Sequence, residues 1–258
     1  MLLLGTKGVL NMSKKTVLIT GGASGMGLLL GQCYAKEGYN VALVDIDKDT
    51  LDKRVAEIQE YSPDVLGIAI DIRDYSKVEG ARDLTVERFG SIDILINCAG
   101  GAECRICKAS GEFHEIPIDV YDFGIDVNLK GALYFDHAVM AQMAKQNSGV
   151  IIHLGSITGQ EGCSSNIAYS ASKSALMNGM TKSVALAGAK YNVRCVCVAP
   201  GPVLTRPGMA GMKTLMGRAA EPQEIVDFIM YVASDKGAFM TGTSYLIDGG
   251  RDIMRNKQ

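Results

Sequence analysis

Seven short apolar runs constrain this chain more than any other feature: residues 16–20, 41–44, 65–70, 92–96, 150–154, 193–198 and 244–247. Within them apolar residues mostly follow one another instead of alternating with polar ones. A strand with one wet face alternates, so a continuous apolar run of this length needs both faces covered. Between the runs lie segments with helical spacing, at 25–37, 49–60, 77–89, 120–146, 168–190 and 222–234. The fourth of these is expected to bend near Gly131, and Pro222 sits where the first residue of the last helix belongs. Strands alternating with helices have one economical solution, an α/β fold with a doubly wound parallel sheet of about seven strands flanked by helices. No linker, repeat or low-complexity stretch interrupts the pattern, so residues 14–258 are expected to form a single domain.

Composition removes several function classes. Hydrophobic residues make up 47% and charged residues 21% of the chain, which excludes a disordered protein. A net charge of −2 without a basic tract gives nucleic acid nothing to bind. No apolar run approaches the roughly 18 residues of a membrane span. Seven cysteines in no pairing pattern point to a reducing compartment, so a cytoplasmic location is expected. Met1-Leu2-Leu3-Leu4-Gly5 lacks the length and the basic residues of a signal peptide. Met12-Ser13-Lys14-Lys15 would make an ordinary chain start, and residues 1–13 are read as a short N-terminal extension without a core role.

In a doubly wound sheet, ligands bind outside the carboxyl ends of the strands, where the conspicuous polar and glycine clusters of this chain lie. Thr20-Gly21-Gly22-Ala23-Ser24-Gly25-Met26-Gly27 joins the first strand to the first helix. Glycine lets backbone approach a phosphate closely, and the helix N-terminus supplies free N–H groups and a positive dipole. The turn's Gly-x-x-x-Gly-x-Gly spacing (21, 25, 27) is not the standard G-x-G-x-x-G fingerprint, but its place between strand and helix of a Rossmann-type sheet makes it read as a phosphate cradle; a plain tight turn is the bland alternative. Asp45 ends the second strand. A carboxylate there accepts hydrogen bonds from ribose hydroxyls and repels a 2′-phosphate, and no basic residue sits in the glycine turn or directly after Asp45. That favours NAD over NADP. Asp47 is a rival for the role.

Tyr169 and Lys173 are four apart on the fifth helical segment and share a face. A phenol with its ordinary pKa near 10 is a poor base at neutral pH. A neighbouring ammonium favours the phenolate, which makes the pair usable for acid–base work. Ser156 lies just past the fifth strand. Taken alone, such a pair is common on helix surfaces.

Together these residues resemble the short-chain dehydrogenase/reductase (SDR) family over residues 14–250. The glycine turn, Asn97-Cys98-Ala99-Gly100, Asn128, Ser156, Tyr169-x-x-x-Lys173, Pro200-Gly201 and Asp248-Gly249-Gly250 follow the family's order and spacing. Cys98 departs from it, since the family often has a second Asn there. The resemblance implies NAD(H)-dependent interconversion of a secondary alcohol and a ketone. It implies catalytic roles for Asn128, Ser156, Tyr169 and Lys173: Tyr169 exchanges the proton, Lys173 tunes Tyr169 and holds the nicotinamide ribose, Ser156 bonds the substrate oxygen, and Asn128 bends its helix and supports a proton-relay water. It implies a cofactor site at Gly21, Ser24, Gly25, Met26 and Gly27 with Asp45 and Ile46. Asp71 and Ile72 would flank adenine, Asn97, Ala99 and Gly100 would line the cleft, and Pro200, Gly201, Val203 and Thr205 would reach the nicotinamide end. It also implies a homo-oligomer, a tetramer or dimer.

Substrate residues are expected from the loop after Gly100, from residues 158–166 and from the segment after Gly201, namely Glu103, Arg105, Thr158, Asn166 and Arg206. This polar set leans towards a polyol, sugar or hydroxy acid. A 3-oxoacyl thioester reductase, a hydroxysteroid dehydrogenase and a non-catalytic NAD-sensing protein are the alternatives. Cys104 and Cys107 lack further ligands, so no metal site is expected. Cys195 and Cys197 read as small apolar residues of a buried strand, and His153 as a packed, hydrogen-bonded residue.

Overall fold

A computed structural model describes residues 14–255; the extension read at residues 1–13 lies outside the described residues. The strands are β1 (Thr16–Thr20), β2 (Asn40–Asp45), β3 (Val65–Ala69), β4 (Ile94–Asn97), β5 (Gly149–Leu154), β6 (Val193–Pro200) and β7 (Thr243–Ile247). They form one parallel sheet in the order β3-β2-β1-β4-β5-β6-β7. The helices are α1 (Gly25–Lys36), α2 (Lys48–Gln59), α3 (Tyr75–Phe89), α4 (Glu103–Ile106), α5 (Ile118–Ile125), α6 (Gly131–Gln146), α7 (Thr158–Glu161), α8 (Ile167–Ala175), α9 (Thr181–Gly188) and α10 (Pro222–Ala233).

Side chains along a strand alternate between faces, and here each face has its own cover. Val17, Ile19, Val196 and Val198 pack with Leu30 and Tyr34 of α1, Leu51 and Ile58 of α2, and Ile225 and Ile229 of α10. Leu18, Leu95, Ile151 and Cys195 turn to the other side, against Val78 of α3, Phe135 and Val139 of α6, and Ala185 of α9. Two covered faces explain the unbroken apolar runs. Full burial of a side chain such as Phe135 is worth roughly 1.5–3 kcal/mol relative to exposure.

Two helices expected to be continuous are interrupted. Residues Asp126–Lys130 form a π-turn between α5 and α6, and Leu176–Met180 form another between α8 and α9. In the first, Asn128 Nδ2 donates to the Gly124 carbonyl one turn back, at 2.9 Å, and the widened turn closes from Gly131 N–H to the Asp126 carbonyl. In the second, the Thr181 hydroxyl donates to the Leu176 carbonyl five residues back, at 2.6 Å. A side chain inserted into the helical ladder is an established cause of such a distortion. The bend expected near Gly131 thus belongs to Asn128 and the turn before it. The loop after Gly100 also contains a short helix, α4, that the sequence reading passed over.

Candidate active site

Strand order reverses between β1 and β4, and a cavity of about 550 Å³ opens at their carboxyl ends. Gly21, Ser24, Gly25, Met26 and Gly27 line one wall of it. Gly21 has φ +72°, and a Cβ there would stand 3.0 Å from Ala99 Cα, so the two strand ends meet through backbone alone. Ser24 caps α1 without a side-chain hydrogen bond, and the first turn of α1 holds no acidic residue. Among the described residues no carboxylate accepts from its leading N–H groups; Asp45 bonds Ala23 N, before the helix begins. Glycine backbone and a helix N-terminus without acidic residues fit the diphosphate of a dinucleotide.

Asp45 lines the same cavity at the end of β2. Its Oδ2 accepts from Ala23 N at 3.0 Å, and its Oδ1 from Ile46 N at 2.8 Å and Asp47 N at 3.1 Å. The carboxylate is thereby fixed to the glycine turn. The rival, Asp47, is occupied as the N-cap of α2, accepting from Thr50 N and the Thr50 hydroxyl. Further along the wall, Asp71 and Ile72 are joined by Arg73, Phe123 and Val127. Arg73 donates from Nε to both oxygens of Asp71 and from Nη2 to Oδ2, and lies 5.2 Å from the Phe123 ring centroid. Its hydrogen bond holds the Asp71 carboxyl below its ordinary range.

The chemistry-bearing side chains converge from β5, α5, α6 and α8. Lys173 is 4% exposed; its Nζ donates to the Leu154 carbonyl at 2.7 Å and stands 5.6 Å from the Tyr169 ring centroid. Ser156, just past β5, is buried, and its Oγ accepts from Thr158 N at 3.1 Å. Asn128, inside the π-turn, accepts from Gly101 N at 2.8 Å and donates to the Gly101 carbonyl at 3.0 Å. Burial pushes the Cys98 thiol up to about 12 against the opposing Lys173 ammonium, so Cys98 offers no thiolate at neutral pH. What remains is a phenol, an ammonium and a hydroxyl, a set suited to moving one proton. None of Asn128, Ser156, Tyr169 and Lys173 is among the residues that line the cavity of about 550 Å³, and Lys173 meets it through Leu154, which does line it.

A family model described as short chain dehydrogenase matches residues 15–214. The chain belongs to the short-chain dehydrogenase family. It is an oxidoreductase. It is 34% identical to trans-4-hydroxycyclohexanecarboxylate dehydrogenase of Sinomonas cyclohexanicum, over 95% of each chain. It is 33% identical to a 3-oxoacyl-[acyl-carrier-protein] reductase of Thermotoga maritima, covering 92% of this chain and 97% of that one. Among solved structures, NAD+-bound xylitol dehydrogenase superposes with a TM-score of 0.82 at 28% identity, covering 93% of this chain and all of that one.

Within this oxidoreductase several side chains that the sequence placed at the cleft make other contacts. Asn97 does not line the cleft: its amide donates to Asp136 at 2.8 Å, in a buried network with His153 and Thr181. An inward-pointing position at the end of β4 sends it there. Gly201 packs on Asp248 and Val203 is buried in the core, while Thr205, from the same segment, lines the cleft. Glu103, expected to meet substrate, is fully buried and accepts from the backbone of α8. Asn166 accepts from Cys104 N at 3.3 Å, and Thr158 hands its carbonyl to the Ser170 hydroxyl. Arg105 and Arg206 do line the cleft. The sequence reading missed Arg73, Phe123, Val127 and Leu154. Phe123 and Val127 are four apart just before Asn128, so helical spacing alone carried a signal for that pair.

Proposed function

We propose that this dehydrogenase interconverts a small polar secondary alcohol and its ketone with NAD as the hydride acceptor. The observation that carries the proposal is the Tyr169–Lys173 pair, with the Lys173 ammonium anchored on Leu154 and set under the phenol ring. Tyr169 takes or gives the proton of the substrate oxygen, Lys173 stabilises the phenolate charge, and Ser156 hydrogen-bonds the developing alkoxide. Asn128 holds the segment after β4 through Gly101. The glycine turn, Asp45 and Thr205 would hold the dinucleotide, whose nicotinamide supplies the hydride chemistry when bound.

Asp45 supports NAD. Its carboxylate lines the cleft at the end of β2, where it would accept from the ribose hydroxyls, and no cation among the described residues is bonded to it. Arg73, the nearest cleft cation in sequence, is taken by Asp71. Arg105 and Arg206 support a carboxylate-bearing or polyhydroxylated substrate, since both line the cleft and neither makes an ion pair among the described residues. The likeness to the hydroxycyclohexanecarboxylate enzyme agrees with that class. Reduction of a 3-oxoacyl thioester is the second reading, favoured by the likeness to the Thermotoga protein. The test is a panel of polyols, sugars, alicyclic hydroxy acids, hydroxysteroids and acyl thioesters, assayed with both cofactors by absorbance of the reduced nicotinamide. The highest kcat/KM is expected for a hydroxy acid or polyol with NAD. A best rate on an acyl thioester with the phosphorylated cofactor would reverse the reading.

A further inference from the structure

The first turn of α8, which carries Tyr169, has no local cap. Asn166 precedes it without a side-chain hydrogen bond to its N–H groups. An uncapped helix start leaves orphan donors, which buried backbone rarely tolerates. They are met from 65 residues away in the chain: Glu103 Oε1 accepts from Ala168 N at 2.9 Å, and Oε2 accepts from Tyr169 N at 3.1 Å. Glu103 is fully buried, and among the described residues it forms no salt bridge. A buried carboxylate without a counter-ion is costly unless strong donors surround it, and a helix N-terminus supplies them.

We propose that Glu103 is a positioning residue for proton transfer, clamping the first turn of α8 and so fixing where Tyr169 and Lys173 stand. The inference rests on the reading of Tyr169 as the proton-transfer group. Three further contacts make the clamp more than an ordinary cap. Asn166, at the head of α8, accepts from Cys104 N at 3.3 Å, so α4 and α8 cap each other reciprocally. Gly124 of α5 fits where the two helices meet: a Cβ there would stand 2.7 Å from Ala168 Cβ and 3.0 Å from Glu103 Cβ. Asn128 grips Gly101 by N–H and carbonyl, two residues before Glu103. A continuous connection therefore runs from Asn128 through Gly101 and Glu103 to the backbone of Tyr169. One turn later the Leu154 carbonyl fixes Lys173. An N-cap Ser or Asp next to α8 would satisfy the same donors locally. A carboxylate reaching in from the segment after β4 instead ties the phenol to Asn128 and to the cleft wall.

The test compares Glu103→Gln, Glu103→Ala and Tyr169→Phe with wild type, using the alcohol of the panel with the highest kcat/KM. Glu103→Gln keeps one acceptor and nearly the same shape, so kcat is expected to fall about tenfold, and further in Glu103→Ala. KM for NAD should change less than kcat, because Glu103 itself lines no part of the cleft and the glycine turn and Asp45, which would hold the diphosphate and ribose, lie outside the clamp. A merely structural Glu103 would lower Tm and leave kcat of the folded enzyme unchanged, and that result overturns the inference. Turnover lost in Tyr169→Phe but kept in Glu103→Gln overturns the role of Glu103 alone; turnover kept in Tyr169→Phe overturns both readings. Should Glu103→Ala fail to fold, hydrogen exchange on wild type still decides. The Ala168 and Tyr169 amides are expected to exchange as slowly as those of β1, and free exchange there would remove the clamp.

Discussion

At the scale of single residues, the site divides by how far each side chain's role depends on sequence neighbours. Tyr169 and Lys173 were legible because helical spacing places them together whatever surrounds them. Replacing Tyr169 by Phe is expected to cut kcat by about a hundredfold or more, the usual worth of a positioned acid–base group, with NADH affinity kept. Stopped-flow turnover and fluorescence titration of NADH check the two halves. Asp45 was legible as a strand-end carboxylate, and the structure adds why it holds its place: three backbone N–H groups bind it. Asp45→Ala is expected to narrow the preference for NAD over NADP by roughly tenfold, because ribose hydrogen bonds and repulsion of the 2′-phosphate go together. The kcat/KM ratio for the two cofactors measures it. Glu103 and Asn97 were not legible. Each looks like a polar residue bound for the cleft, and each is instead consumed by a donor or acceptor distant in the chain. One sequence carries no trace of such pairing.

At the scale of elements, strand and helix positions followed from the apolar runs, while the π-turns did not. A π-turn needs a side chain to compete for a carbonyl inside its own helix, and Asn128 and Thr181 do so only because Gly101 and His153 wait on the far side. The contact of α5 with α8 is equally specific. Gly124→Ala would place a methyl inside ordinary contact distance of both Ala168 and Glu103. The expected result is a loss of about 1–3 kcal/mol in stability, read by urea denaturation, together with a drop in kcat as α8 shifts. The start of α10 makes a different prediction. Pro222 stands at its first position, as the sequence indicated, and Arg218 donates to both oxygens of Glu224 at 2.6 and 2.7 Å. That hydrogen bond lowers the Glu224 carboxyl from 4.5 to about 2. A lowered value in the folded state favours folding above the ordinary pKa, and this contribution is lost as pH falls from 4.5 towards 2. In Arg218→Ala the carboxyl titration of Glu224, followed by NMR, is expected to move up towards its ordinary midpoint.

At the scale of the whole molecule, the doubly wound parallel sheet was the most legible feature, because continuous apolar strands alternating with helices leave few alternatives, whereas the strand order came only with the structure. What one chain cannot display is the fate of its outer surface. Leu186 of α9 is 80% exposed and Leu133 of α6 is 47% exposed. Both helices cover the same face of the sheet. Apolar side chains turned outward on neighbouring helices lose contact with water when an identical face meets them, and a two-fold axis through this face would bring each leucine against the same region of a second copy. Self-association through this face is therefore expected, in keeping with the homo-oligomer that the family resemblance implies. Sedimentation velocity at micromolar concentration should give a dimer or larger species. Leu186→Glu should shift it towards the monomer without changing Tm of the isolated fold by much, since the side chain contributes little to the core of its own subunit. A wild-type monomer at that concentration would refute the assembly, and an unchanged Leu186→Glu oligomer would move the contact to another face, of which the fully exposed Phe239 after α10 is the next to test.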